Sequence, residues 1–158
     1  MPDGKQGSSS FADGKNGSMT SSALIGKSVL HRSYVGFGDT RYGGGLVDGS
    51  FVMRLFGDAA TELCIRTDGD EGLFASYEDV QFIKPVRAGD VIEVEAQIID
   101  AGVRSRKLQL LARVVCRSAP ERGLSASIVL QQPLVVATAR GTVVVAGTRD
   151  ASAIAADA

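Results

Sequence analysis

Two acidic residues carry the clearest chemical potential of this sequence. Asp58 and Glu62 stand four positions apart in a segment with helical periodicity, so both carboxylates are expected on one helix face. Two acids in a cleft of low dielectric constant push their pKa values apart, which leaves one better suited to accept a proton. Arg54 and Arg66 continue the same spacing, and such a series is also typical of a solvent-exposed, salt-bridged helix face. The sequence predicts either an acid–base site or a series of surface ion pairs.

A glycine-rich loop, GDTRYGGGLVDG, leads directly into this helix. Glycines let a backbone approach a ligand closely, and the first turn of a helix presents free N–H groups at the positive end of its dipole. We therefore expect the start of this helix to suit an anionic group, such as a phosphate or a thioester oxygen. Asp48 is also suited to cap the helix, and Asp39 to close the loop as an Asx turn.

Composition narrows the class of protein. The chain has 158 residues, of which 44% are hydrophobic, and this predicts one domain. A net charge of −1, from 17 basic and 18 acidic residues, argues against a nucleic acid or an anionic membrane as partner. No apolar run approaches the roughly 20 residues of a membrane span, and the N-terminus lacks the pattern of a signal peptide. We expect a cytoplasmic protein.

The cysteines and the single histidine do not suggest a metal site. Cys64 and Cys116 lie far apart and form no C-x-x-C motif, so we expect buried, reduced thiols. His31 lies in a strand pattern beside Arg32 and is expected to be structural or exposed. One histidine excludes a His-rich metal site, and we predict no metal ion.

Hydrophobic periodicity predicts one helix, residues 49–66, among several strands. The predicted strands are residues 28–35, 73–83, 91–99, 105–116 and, after a break at Pro133, residues 134–146. Residues 117–132 are compatible with helix or strand. The order predicts an α+β domain, residues 19–147, whose antiparallel sheet packs on one helix and whose apolar edges require a partner subunit. Residues 1–18 are predicted to be a disordered leader or tag, and residues 148–158 a C-terminal tail.

Several motifs resemble the hotdog fold of acyl-CoA enzymes. The segments DTRYGGGLVDG, LFGDAATEL, DGDEGLF and ARGTVVVA are similar to those of the 3-aminobutyryl-CoA and β-alanyl-CoA ammonia-lyases, within residues 28–146. The resemblance implies an antiparallel sheet wrapped around one long central helix, and a homodimer or higher homo-oligomer. It also implies reversible elimination of ammonia from a 3-aminoacyl-CoA to give the enoyl-CoA, as in lysine fermentation. Arg41 departs from the family, which usually has histidine before the loop tyrosine.

The implied reaction assigns roles to these residues. Elimination β to a thioester requires a base for the α-proton, donors for the enolate oxygen and an anion for the departing ammonium. We expect Glu62 to be the base, Asp58 to bind the ammonium or act as a second acid, and Tyr42 to orient or donate. The N–H groups around Asp48 and Gly49 would bind the oxygen. The remaining candidates for substrate binding are Asp39, Arg41, Gly44, Gly45, Arg104, Ser105 and Arg106. Coenzyme A is part of the substrate, and no cofactor is predicted.

Two other functions fit the same residues. A hotdog acyl-CoA thioesterase would need only one carboxylate to activate water, and a non-catalytic dimer would bind an acyl-CoA or a small ligand. The paired acids favour the lyase, because a charged amine requires an additional anion. The basic residues Arg104, Arg106 and Lys107 either grip the phosphates of coenzyme A or protect a sheet edge from aggregation.

Overall fold

The structure is a computed structural model and describes residues 20–147. The predicted leader, residues 1–18, and the predicted tail, residues 148–158, lie outside these residues. One short and one long α-helix accompany five strands, and two 3-10 turns lie at Phe37–Asp39 and Pro120–Arg122. The α-helices and strands are α1 (Ser21–Leu24), β1 (Ser28–Tyr34), α2 (Gly49–Asp68), β2 (Leu73–Phe82), β3 (Val91–Ala101), β4 (Ser105–Ser118) and β5 (Ser127–Val144). No helix in this part of the chain is long and apolar enough to cross a membrane.

The five strands form one antiparallel sheet in the order β1-β3-β4-β5-β2. Alternate residues of its central strands point to α2 and are buried, as in β3, where polar residues occupy the other face. The long helix packs against β1, β2, β3 and β4. This arrangement confirms the predicted α+β class and the hotdog fold that the resemblance implies.

Helix α2 has a clear start and a clear end. Asp48 is its N-cap, and the side chain accepts a hydrogen bond from the Phe51 N–H. Gly69 ends it with a positive φ of 67°, a conformation that glycine adopts without strain. The buried residues of α2 are Phe51, Val52, Leu55, Phe56, Ala59, Ala60, Leu63 and Cys64. Their spacing leaves one helix face outside the core.

Strand β5 differs most from its prediction. It begins at Ser127 and not after Pro133, so part of the ambiguous segment is strand. The reason is pairing with β4, in which Ser118 lies opposite Ser127 and Cys116 opposite Val129. Pro133 falls where the register shifts between these pairs and Val114–Leu134, and a proline is tolerated at such an irregularity.

The segment VRAGD, residues 86–90, has a structural role. Asp90 is fully buried, and its carboxylate accepts hydrogen bonds from the Arg87 N–H at 2.9 Å and from Arg117 Nε and Nη2 at 2.9 and 2.8 Å. A buried carboxylate requires such partners. The motif therefore fixes the turn before β3.

Both cysteines of the described residues are free. Cys64 is buried, and burial raises the pKa of its thiol to about 11. Cys116 is half-buried. These positions agree with the prediction of reduced thiols, although Cys116 is less enclosed than expected.

Candidate active site

The outer face of α2 forms an open, charged depression of about 400 Å³. We call it the acidic groove; its lining residues are Asp58, Thr61, Glu62, Ile65 and Arg66. Both predicted catalytic acids line it, one helical turn apart. The groove is therefore the place where this protomer could hold a cationic group beside a proton acceptor.

The Glu62 carboxylate lies between two basic side chains. Arg66 Nε donates to Oε1 at 2.8 Å, and His31 Nδ1 lies 3.5 Å from Oε2. The hydrogen bond from Arg66 holds the pKa of Glu62 below its ordinary value; partial burial opposes this effect, and His31 adds to it. The carboxylate is thus ionised at neutral pH. Asp58 is not among these causes, so the predicted mutual perturbation of the two acids is wrong for Glu62.

Asp58 is the more open of the two acids. Its side chain is 47% exposed, and its contact with Arg54 Nη1 is 3.9 Å long. The series of ion pairs from Arg54 to Arg66 therefore exists, as the second interpretation of the sequence predicted. A long contact at this exposure contributes little energy, however, and leaves the Asp58 carboxylate available to a cation from solution.

His31 was not among the predicted site residues. It faces α2 because side chains alternate along β1, and its pairing partner Val94 is a buried core residue. Its imidazole is 34% exposed and lies beside Glu62. The alternation with Val29 could have placed His31 on the inner face, but nothing in the sequence pairs it with Glu62.

A second depression, of about 460 Å³, lies at the first turn of α2. We call it the helix-start pocket. Its lining residues are Tyr42, Leu46, Val47, Asp48, Gly49, Val52, Phe82, Ile83, Lys84, Pro85, Val86 and Val136. The pocket thus brings together three of the predicted residues, Tyr42, Asp48 and Gly49, within mostly apolar walls.

Close packing explains the glycine at this helix start. A Cβ on Gly49 would lie 2.7 Å from Cζ of Phe82, closer than carbon atoms approach in proteins. The absence of a side chain keeps the first-turn N–H groups beside the pocket. Asp48 accepts the Phe51 N–H at 3.4 Å, so its carboxylate acts as the predicted cap.

The loop before α2 is held by its own hydrogen bonds. Gly44 and Gly45 have φ of 76° and 72°, and the Gly45 carbonyl accepts the Ala88 N–H at 2.9 Å. The Asp39 carboxylate accepts the Gly36 N–H at 3.0 Å, which supports a capping role, although the bond runs backwards along the chain and not forwards as in an Asx turn. Arg41 is exposed.

Arg106 is a correction to the predicted substrate-binding set. Its side chain is 6% exposed, and its guanidinium bonds both Asp68 carboxylate oxygens, at 2.5 and 3.1 Å. Nη1 also donates to the carbonyls of Gly102 and Ser105 at 2.9 Å. These donors are used inside the protomer to fix the end of α2 to β4. Arg106 is therefore not free to bind a phosphate of coenzyme A.

The neighbours of Arg106 remain closer to solvent. Arg104 is exposed, and its Nε donates to the Val145 carbonyl at 3.1 Å, while Lys107 is exposed on β4. Ser105 is half-buried at the strand start. Of the predicted basic cluster, Arg104 and Lys107 remain exposed to solvent.

The acidic groove and the helix-start pocket do not meet within one protomer. At 1.5 Å per helical residue, Glu62 lies about 20 Å along α2 from Gly49, and Asp58 about 14 Å. A thioester oxygen and its α-carbon are separated by only two bonds. A single protomer therefore cannot place Glu62 at the α-carbon and the Gly49 N–H at the oxygen of the same thioester group.

Comparison with known proteins locates the chain among acyl-CoA enzymes. The thioesterase superfamily model matches residues 44–114. A 3-aminobutyryl-CoA ammonia lyase from Acetoanaerobium sticklandii is 53% identical over 107 residues, which cover 68% of this chain and 85% of that protein.

Two solved structures with a similar fold are an ammonia lyase and a thioesterase. The β-alanyl-CoA:ammonia lyase from Clostridium propionicum superposes with a TM-score of 0.72 and 29% identity, covering 82% of this chain and 95% of that one. A hexameric thioesterase from Yersinia pestis shares the fold alone, with a TM-score of 0.61, 20% identity and coverage of 80% and 90%.

Proposed function

The chain belongs to the 3-aminobutyryl-CoA ammonia-lyase family, and we propose that it removes ammonia reversibly from a 3-aminoacyl-CoA to give the enoyl-CoA. The observation that carries this assignment is the 53% identity, which spans 85% of the relative. The acidic groove adds chemistry that fits, since an ionised carboxylate lies one helical turn from an open anion. The substrate is 3-aminobutyryl-CoA or β-alanyl-CoA.

Glu62 is the proposed base. It removes the α-proton, the C–H electron pair forms the new double bond, and the C–N bond breaks with its pair on nitrogen. Because its pKa is lowered, Glu62 is ionised throughout the neutral range and so is present in the form that can accept a proton. The reaction moves no electrons to or from an external carrier, so it needs no redox cofactor.

Asp58 is the proposed anchor of the substrate ammonium. Its carboxylate is half-exposed and only weakly engaged by Arg54, so an ammonium group could take its place beside Asp58 at small cost. A fatty acyl chain would gain nothing from this second anion. The paired acids therefore suit an amino substrate.

The proposed oxyanion donors are the first-turn N–H groups of α2, at Gly49. Because Gly49 is about 20 Å along the helix from Glu62, we propose that each active site joins the acidic groove of one subunit to the helix-start pocket of another. A homodimer or higher homo-oligomer follows from this requirement. Tyr42, at the rim of the pocket, orients the substrate.

A thioesterase is the second candidate, because the thioesterase superfamily model covers residues 44–114. The lyase breaks the C–N bond of its substrate, whereas a thioesterase breaks the C–S bond of the thioester.

We also propose the cytoplasm as the compartment, supported by two free cysteines and by an acyl-CoA substrate.

Incubation with crotonyl-CoA or acryloyl-CoA separates the two functions. The lyase should consume the enoyl absorbance in proportion to ammonium and release no free thiol. A thioesterase should liberate coenzyme A, detected with a thiol reagent, at a rate indifferent to ammonium. Thiol release as the main reaction across several acyl-CoA substrates would contradict the lyase.

A further inference from the structure

The imidazole of His31 is the second basic group beside Glu62, the proposed base. Arg66 Nε holds Oε1 of Glu62 at 2.8 Å from within α2, and His31 Nδ1 approaches Oε2 at 3.5 Å from β1. Each oxygen of the carboxylate thus has its own basic neighbour. The distance to His31 is longer than an ordinary hydrogen bond, so a small movement of either side chain would be enough to form one.

We propose that His31 acts through Glu62: its imidazole accepts the proton that Glu62 has taken from the substrate. This inference rests on the proposed lyase function. Arg66 cannot serve, since a guanidinium has no acceptor site and stays protonated in proteins. Imidazole, by contrast, is ordinarily a stronger base than a carboxylate by about two pKa units, so transfer from a protonated Glu62 is favourable.

The proton balance is complete with these groups. The α-proton passes to Oε2 of Glu62 and then to Nδ1 of His31, while ammonia departs with the electron pair of the C–N bond. The half-exposed imidazole then loses a proton to water, and Glu62 is again ionised. In the addition direction the same groups return a proton to the α-carbon.

The surroundings of His31 leave few other groups to explain a pH effect. From α2, the groups against or near the imidazole are Glu62, Arg66 and, in the same groove, Asp58. From β3, the residue opposite is the apolar Val94. A histidine that only filled this position would need no contact with a carboxylate.

Two substitutions test the role of the imidazole. His31→Asn keeps a polar amide near the position of Nδ1 but accepts no proton, and His31→Ala opens space that free imidazole could enter. We expect kcat of His31→Asn to fall by about tenfold or more with KM little changed. The wild-type rate should fall as the imidazole becomes protonated, and this limb of the pH profile should be absent in His31→Asn. Added imidazole should restore His31→Ala.

Leu30→Asn provides the matched control, because Leu30 neighbours His31 on the opposite, exposed face of β1. It should keep the wild-type kcat and pH profile. An unchanged kcat and pH limb in His31→Asn, with no imidazole rescue of His31→Ala, would overturn the role of His31 while ammonia addition stayed intact. Thiol release by the wild type, indifferent to ammonium, would instead overturn the proposed function and the proton path with it.

Discussion

The two depressions on α2 are similar in volume and differ in the groups that they present. The helix-start pocket, about 460 Å³, surrounds backbone N–H groups with mostly apolar walls, whereas the acidic groove, about 400 Å³, lies on a single helix face and presents two carboxylates. Apolar walls hold a ligand and fixed N–H groups stabilise an oxyanion, but neither moves a proton. Ionised side chains move protons but bind weakly in water. Each depression therefore supplies what the other lacks, and together they would make one complete site.

Substitution of Glu62 should abolish proton transfer in the acidic groove. Glu62→Gln removes the base but keeps the size of the side chain, so we expect kcat to fall by about 100-fold to 10,000-fold. Binding of the coenzyme A thioester, which we assign to the other depression, should change little. Steady-state rates and isothermal titration with a non-reactive acyl-CoA measure both quantities. Glu121→Gln, at an exposed position outside the groove, is the control.

A side chain at position 49 should reduce activity by disturbing the packing of the helix-start pocket. Gly49→Ala would place a Cβ 2.7 Å from the Phe82 ring, so the ring or the helix start must shift, and either movement deforms the pocket around the first-turn N–H groups. We expect a loss of about tenfold to 100-fold in kcat/KM, as for displaced oxyanion donors. Gly57→Ala in the same helix is the matched control, since its Cβ would meet nothing within 4 Å. That variant should raise the free energy of unfolding by about 1 kcal/mol.

A drop in activity of Gly57→Ala, at undiminished stability, would sharpen the comparison in another way. It would show that a partner or a substrate fills the space above this glycine, beside Asp58. Equal losses for Gly49→Ala and Gly57→Ala would remove the special role of the helix start.

Asp58 should matter for the amine and not for the thioester. We expect Asp58→Asn to raise KM for the 3-aminoacyl-CoA by about tenfold, because one charge-assisted contact is lost. Affinity for crotonyl-CoA, which has no amine, should stay within about twofold of wild type on the same reasoning. Similar losses for both ligands would place Asp58 in the general architecture of the groove.

The smallest effect concerns the ionisation of Glu62. Arg66 holds the pKa of this carboxyl below its ordinary value of 4.5, so Arg66→Gln should raise it. The same shift affects stability. Because the pKa of Glu62 is lower in the folded protein than in the unfolded chain, it stabilises the folded protein at pH values above the unfolded pKa. This stabilisation is lost as the pH falls through the pKa of the folded protein. Carbon-13 titration of the Glu62 carboxyl measures the shift. Arg54→Gln, whose partner is Asp58, should leave it unchanged.

Features set by neighbouring residues could be predicted from the sequence. The helix, its cap at Asp48 and the strand starts at Ser28, Leu73, Val91 and Ser105 all follow from local periodicity and capping chemistry. The helix runs on to Asp68, two residues beyond its predicted end, because Arg106 holds Asp68 and Gly69 caps the last turn.

Features that depend on distant pairing could not be predicted. The first half of β5 exists because β4 continues opposite it, and Arg106 is buried because Asp68 faces it from another element. The contact of His31 with Glu62 likewise joins the edge strand β1 to the helix, at a partly exposed position. The separation of the two depressions, by contrast, could be predicted, because the number of residues from Gly49 to Glu62 sets their distance along the helix.

Complementation between subunits tests the shared active site most directly. Glu62→Gln and Gly49→Ala chains, each weakly active alone, would be co-expressed at equal levels and purified without selection for any combination of chains. If each site takes Glu62 from one subunit and the helix start from another, half of randomly formed dimers are mixed and each keeps one intact site, so about a quarter of wild-type activity should return. Activity no greater than that of the parent variants would contradict a site built from both depressions.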